Sequence, residues 1–470
     1  ASVRYFSWEN KQVGAEDIAF TMTFNRPMAK KTVEENLRVI AELDTPTLLK
    51  GKFSWAGRKM AYTLNYPAPY GKDYKVELRG AKDKYTIAKG KNTTIKPFNG
   101  KFSTRDRIFA YIGITDEEKG LLILYNLTKQ QKVILTPPNL LVMEFEIYND
   151  GSKILFGASE YGKKQINLEQ QLYTVTTGIN WNEENKTTES GVIELILDNA
   201  EYQNLKFDLS PDGKKIVVQR GNRKKAGDVS FWVIDEDQKL TKLETKEGGE
   251  FVITPDSNAI AITQGEGITI LSLTANTNKT KNGEIKPLDF LSQYQQVLSF
   301  TKNGVKAAMV KFNTDYTKSL FLVTNDGEPI EIFKNKGSIL SCQFNPPGTI
   351  LFCLMTDLIE GPEFKEEPYL AAIDLTQKQV FRFLNFSTEQ RDMKMSISPD
   401  GLAILFDQIV ASVTPTGKET LTNTQNQDIT HSSLWLYTLP FDPNNQAFTP
   451  SEENKPMDLP LSGLRPRWFP

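Results

Sequence analysis

A single histidine, His431, stands among 470 residues. That scarcity excludes several familiar chemistries at once. A Ser-His-Asp triad, a Cys-His pair, a multi-histidine zinc site and a histidine-ligated haem each need histidine in a specific setting. Here one residue would have to serve, and "NTQNQDITHSS" reads as a polar loop whose histidine is simply solvated. Cysteine is nearly as rare, with only Cys342 and Cys353. No C-x-x-C exists, so thiol-redox and zinc-ribbon patterns are out. The G-x-S-x-G elbow and the H-E-x-x-H motif are missing too. "QGEGITI" lacks both the spacing and the lysine of a phosphate loop. No apolar run is long enough to span a bilayer. Lysine and arginine total 56 against 58 acidic residues, a net charge of −2. So weak a field argues against nucleic acid or an anionic membrane as the main partner. No cofactor, no metal site and no catalytic residue is expected.

What is present reads as strands. Aromatic residues make up 10% of the chain, which suits a β-rich protein. Residues 1–105 hold short alternating runs. In "DIAFTMTF" Ile18, Phe20, Met22 and Phe24 recur at period two, "GKFSWAGRKMAYTL" reads as two strands about Ala56-Gly57, and "YPAPYGKDYKVEL" as a turn and a strand. Only "AKKTVEENLRVI" carries a helical signal. About a hundred residues of this kind predict a β-sandwich.

From residue 106 a repeat of roughly forty to fifty residues begins. Its marker is an apolar run, a Pro/Asp/Asn/Gly turn and a second apolar run: "MEFEIYNDGSKILFGA", "LKFDLSPDGKKIVVQR", "GEFVITPDSNAIAITQ", "QVLSFTKNGVKAAMVK", "SCQFNPPGTILFCLM" and "MKMSISPDGLAILFD". Proline presets φ, Asp or Asn closes the turn through its side chain, and glycine takes positive φ. A third and a fourth strand follow each hairpin, and four antiparallel strands at this period make a propeller blade. Two fragments are left over. Residues 107–136 supply a second, third and fourth strand, and "LRPRWFP" at 464–470 supplies a first. The C-terminal strand is therefore expected to close a seventh blade and hide an exposed edge. Cys342 and Cys353 fall on adjacent strands of a hairpin turning at Asn345–Gly348. A disulfide or two buried free thiols both fit that placement.

"SPDGKKIVV" (Ser210 to Val218) and "SPDGLAILF" (Ser398 to Phe406) resemble the hairpin of TolB-type, WD-like propellers. "FTMTFNRPM", "GKFSW", "YGKDYKVEL" and "GKFSTRD" are similar to the bacterial Ig-like domain of envelope proteins. The combination resembles envelope proteins of cyanobacteria. The resemblance implies an all-β chain, with an Ig-like sandwich at 1–105 and a seven-bladed propeller at 106–470. It further implies a periplasmic or extracellular location, and the chain, which opens on "ASVRYFSWEN", is read as a mature or trimmed form. It carries over no functional residue, since propellers host many activities.

Long loops expected on one face supply the candidate binding residues. They are Tyr161, Lys163 and Lys164; Arg223, Lys224 and Lys225; Glu360, Glu363, Glu366 and Glu367; and His431. Two loops are basic and one acidic, which suits an oriented partner. The favoured reading is a non-catalytic envelope protein that recognises a protein or glycan. The alternatives are a carboxylate-dependent carbohydrate enzyme, which needs no histidine, and a structural component of a surface layer.

Overall fold

The computed structural model describes residues 1–42, 47–162, 169–181, 188–274, 280–284, 286–417 and 419–470. The chain is almost entirely β, in many small sheets. At the N-terminus, Val3–Phe6, Ala19–Phe24, Lys59–Leu64 and Gly51–Ala56 form one sheet. Gln12–Val13, Phe98–Thr104, Asp73–Leu78, Leu37–Ala41 and Thr47–Leu48 form a second. The period-two runs place Phe20, Met22, Phe24 and Met60 of the first sheet against Val39, Val76, Leu78 and Phe102 of the second, in one core. Trp8 bridges the layers, edge-on to Phe20 and Phe102. Ile18, expected inside, lies before the strand and is exposed. A helix forms at Lys30–Asn36 as expected, and another at Lys84–Ala88, where the Asp83 side chain caps the Thr86 N–H.

The rest of the chain folds as successive antiparallel meanders, the organisation of a propeller. Residues 140–197, 202–242, 251–291, 296–335 and 339–385 each make a four-stranded sheet in chain order. The turn chemistry is visible at Ser210–Gly213. The Ser210 hydroxyl donates to Asp212 at 2.6 Å, the Gly213 N–H closes on the Ser210 carbonyl at 2.8 Å, and Gly213 has φ +72°. A residue with a side chain would be strained there.

The last sheet has seven strands. Met395–Ile397, Ala403–Ala411 and Ile429–Thr438 lead into the long strand Met457–Trp468. The first half of that strand pairs with Ile429–Thr438, opposing Ser433 to Ser462. Its second half pairs with Ile108–Gly113, opposing Phe109 to Trp468 and Gly113 to Gly463. Leu122–Asn126 and Gln131–Ile134 complete the sheet. At Gly463 the strand passes so close to Tyr111 that a Cβ would sit 2.3 Å from the ring. Cys342 and Cys353 are direct partners across their hairpin and form a disulfide, buried in a core with Leu351, Met355 and Tyr369.

The N-terminal sheets rest on the meander turns through a buried carboxylate. Asp400, in the second Ser-Pro-Asp-Gly turn, has no exposed surface. It accepts the Tyr70 N–H at 2.9 Å and pairs with the Arg107 guanidinium at 2.8 Å. Tyr66 lies tilted against Phe441, with ring centres 4.8 Å apart, and packs so tightly on Gly401 that a Cβ there would clash. Arg105 is ion-paired to Glu16 and lies over the Trp181 ring at 3.9 Å. This turn therefore has two roles, as a hairpin closure and as a docking point.

Candidate functional site in the central channel

The first strand of each meander alternates, so every second side chain points away from the sheet core. In Leu140–Ile147 those residues are Glu144 and Glu146; in Tyr202–Leu209 they include Asp208; in the closing strand they are Arg465 and Arg467. These residues converge. A cavity of about 300 Å³ is lined by Glu146, Thr301, Gln343, Ile397 and Arg467, which come from four sheets, the last supplying both Ile397 and Arg467. It continues into a second of about 530 Å³ through Gln343 and Arg467, and into a third of about 600 Å³ through Glu146 and Lys302. Together they define a channel along the inner strands. Glu16 of the N-terminal sheets stands at the end of the hairpin turns. The opposite mouth, where inner strands begin, is lined by Arg391, Lys394 and Thr424.

The channel's charges are paired with one another. Glu144 lies 3.4 Å from Arg465 and 3.9 Å from Arg467, and Glu146 is ion-paired with Arg467. Burial works against the charge of Glu144, but Arg465, Arg467 and Lys394 outweigh it and hold the carboxyl below its usual range. Burial and the neighbouring Glu144 charge push Glu146 up despite Arg467. Asp208 is pushed up to about 7 by burial and by the Glu146 charge. Its oxygens accept the Leu209 N–H at 3.0 Å and the Ile253 N–H at 2.8 Å, so it clasps two neighbouring meanders. Asp407, fully buried, is pushed up to about 6 by burial, while the N–H groups of Lys394 and Arg465, each at 2.8 Å, oppose the shift.

These two aspartates make stability depend on pH. An unfolded aspartate titrates near about 3.9. Both hold a proton more tightly when folded, so protonation favours the fold. Their contribution is complete below the unfolded value and is lost as pH rises through about 6 for Asp407 and about 7 for Asp208. Glu144, Asp212 and Asp256, whose pKa values are lowered, act oppositely and lose their contribution in acid. Tm at constant ionic strength is expected to peak near about pH 5 and to fall toward about pH 8. A Tm that climbs over that interval contradicts this assignment.

The residues expected to recognise a partner are distributed unevenly. The Tyr161 hydroxyl donates to the Lys119 carbonyl at 2.8 Å, while Lys163 and Lys164 lie outside the described residues. Lys224 and Lys225 are exposed, but Arg223 is engaged by Glu169 at 3.0 Å and by the Asn199 carbonyl at 2.8 Å. The acidic loop is mostly strand. Ile350–Ile359 and Lys365–Asp374 form one long hairpin in which Asp357 opposes Glu367. Glu360 and Glu363 stay exposed near its tip. Glu366 is buried, accepting from the Ser338 hydroxyl at 2.8 Å and pairing with Arg391 at 2.8 Å. It is therefore a strut of the hairpin, and the loop expectation is corrected there. His431 likewise belongs to strand Ile429–Thr438, opposite Val410, with its side chain exposed. Sequence reading passed over Glu144, Glu146, Asp208 and Arg467 as site residues. The usable signal was polar alternation in "MEFEI", "KFDL" and "RPRW", each at the same position of its meander.

No protein-family model matches the sequence, and no curated protein does. Among solved structures, TolB from Acinetobacter baumannii is similar at 14% identity and a TM-score of 0.40, over 72% of this chain and 79% of its own. An oligogalacturonate lyase solved with manganese is similar at 11% identity and 0.46, over 64% and 87%. The periplasmic gluconolactonase of Pseudomonas aeruginosa is similar at 11% identity and 0.45, over 78% and 99%. Likeness at this level assigns no activity.

Proposed function

We propose that this chain is a non-catalytic envelope protein, periplasmic or extracellular. In this reading a seven-bladed propeller at 106–470 binds a protein or glycan at the channel mouth, and an Ig-like domain at 1–105 sits against the other end as a spacer. The observation that carries it is the state of the channel carboxylates. Asp208 and Asp407 spend their oxygens on backbone N–H groups, and Glu144 and Glu146 are ion-paired. Groups so engaged stabilise strands and have little freedom to act as general acid or base.

The mouth also carries hairpins built for contact. Three successive meanders send out tips bearing Tyr316, Phe364 and Val413, which are 90%, 76% and 87% exposed. Tyr316 holds φ +67°, an uncommon conformation for a bulky residue. Replacing the three together by serine is expected to leave Tm within a degree or two of the parent, because exposed side chains add little to stability. Capture of the ligand from a native envelope fraction is expected to fall by about tenfold or more. Unchanged capture would remove this face from the account.

One observation favours the second reading, a carboxylate-dependent carbohydrate enzyme: Glu146 and Asp208 are electrostatically linked acids with raised pKa values. Turnover of an envelope glycan that Asp208→Asn abolishes without loss of binding would favour it over the first.

A further inference from the structure

We infer that the cavity of about 530 Å³ at the mouth where inner strands begin is a site for a hydroxylated carboxylic acid, the chemistry of an acidic sugar unit. The inference rests on the binding reading above and names its ligand class. Four cations line the cavity, Arg391, Lys394, Arg465 and Arg467, against two carboxylates, Glu144 and Asp392.

Internal pairing leaves mainly donors unspent. Among the described residues the exposed Lys394 ammonium enters no ion pair, although its charge helps to hold Glu144 ionised. The Ser341 hydroxyl, also in the lining, has no hydrogen-bond partner among the described residues. Arg391 gives one nitrogen to Glu366, and Arg465 one to Glu144, which leaves both with further N–H groups. Arg391 and Arg467 are balanced by Glu366 and Glu146 just outside the lining, so the donors left on Lys394, Ser341, Arg391 and Arg465, rather than a net charge, select an oxyanion.

The two carboxylates narrow the choice. Asp392 accepts the Thr424 hydroxyl at 2.7 Å and the Thr424 N–H at 3.2 Å, which leaves its remaining lone pairs for further donors. A ligand bearing carboxylates alone would meet Glu144 and Asp392 as like charges. A ligand with hydroxyl groups beside its carboxylate meets them as donor to acceptor while its anion meets Lys394 and Arg391. That pattern fits a sugar acid; an acidic peptide, whose carboxylates also come with backbone N–H donors, is told apart by titration. The cavity volume lies in the usual range for small-ligand sites.

Calorimetric titration of the full chain with galacturonic acid trimer tests this. The trimer is expected to bind, with affinity falling as salt rises. Its methyl ester, lacking the anion, is expected to bind about tenfold more weakly or worse. Lys394→Met should cost about tenfold in a protein that still melts cooperatively, and Lys394→Arg should retain most of the affinity. Equal binding by oligoglutamate would overturn the sugar assignment in favour of a peptide. No trimer binding, or binding indifferent to Lys394→Met in a folded protein, would overturn the site. If the trimer fails while the hairpin-tip variant still loses its envelope ligand, this inference falls and the binding reading stands.

Discussion

Removing Leu464 to Pro470 is expected to abolish cooperative folding. The segment is short, but it supplies the strand on which Ile108–Gly113 is laid. Leu464, Trp468 and Phe469 are all buried. Each such side chain is worth about 1.5–3 kcal/mol. The Trp468 indole N–H also donates to the Ser396 carbonyl at 3.1 Å, and its ring meets Phe109 edge-on. The sum, before ladder hydrogen bonds, is comparable to the whole margin of about 5–15 kcal/mol by which a domain is stable. The deletion also bares the apolar edge of Ile108–Gly113, a template for aggregation. Insoluble protein, or a broad non-cooperative melt, is the expected outcome. A truncated chain that melts within a degree or two of the parent would show that ring closure does not depend on this strand.

Asp400→Ala is expected to cost about 3 kcal/mol, the low end for breaking a buried pair, because Arg107 keeps some access to water. The change leaves the Tyr70 N–H without an acceptor and the Arg107 guanidinium without its partner. It also removes the acceptor of the Ser398 hydroxyl inside the turn. Asp212→Ala makes the same change in a turn whose aspartate pairs with no guanidinium and takes no N–H from the N-terminal sheets. It is the matched control and should cost far less. Limited proteolysis should then release the N-terminal sheets from Asp400→Ala but not from Asp212→Ala. Equal effects would reduce Asp400 to a turn residue.

The comparison of those two turns shows where sequence reading stops. Both read Ser-Pro-Asp-Gly, and the hairpin follows from local chemistry that is the same in each. That one aspartate meets Tyr70 and Arg107 depends on residues some three hundred positions away, and no local pattern encodes it. The meanders were legible for the same local reason, through apolar runs of period two split by turn residues. The complementary fragments at 107–136 and 464–470 pointed to pairing between those segments, and the structure sets its register, Phe109 opposite Trp468. The candidate site was less legible. Its loops were found by their polarity, but polarity does not distinguish a free charge from a paired one. Arg223 and Glu366 were counted as available and are engaged by Glu169 and Arg391. His431 looked like loop because its polar neighbours mask a strand, which nevertheless pairs with Ala403–Ala411 along its whole length. The channel charges were visible as alternation, yet their meaning required the fold that brings the inner strands together.

Amide hydrogen exchange of the full chain, with and without galacturonic acid trimer, tests most directly whether binding rather than turnover occurs at the mouth where inner strands begin. Slowed exchange in the hairpins 350–374 and 403–438 and in the closing strand 463–468, with the trimer recovered intact, is the predicted result. Protection confined to the turn side and the N-terminal sheets, or conversion of the trimer to products, would contradict the account.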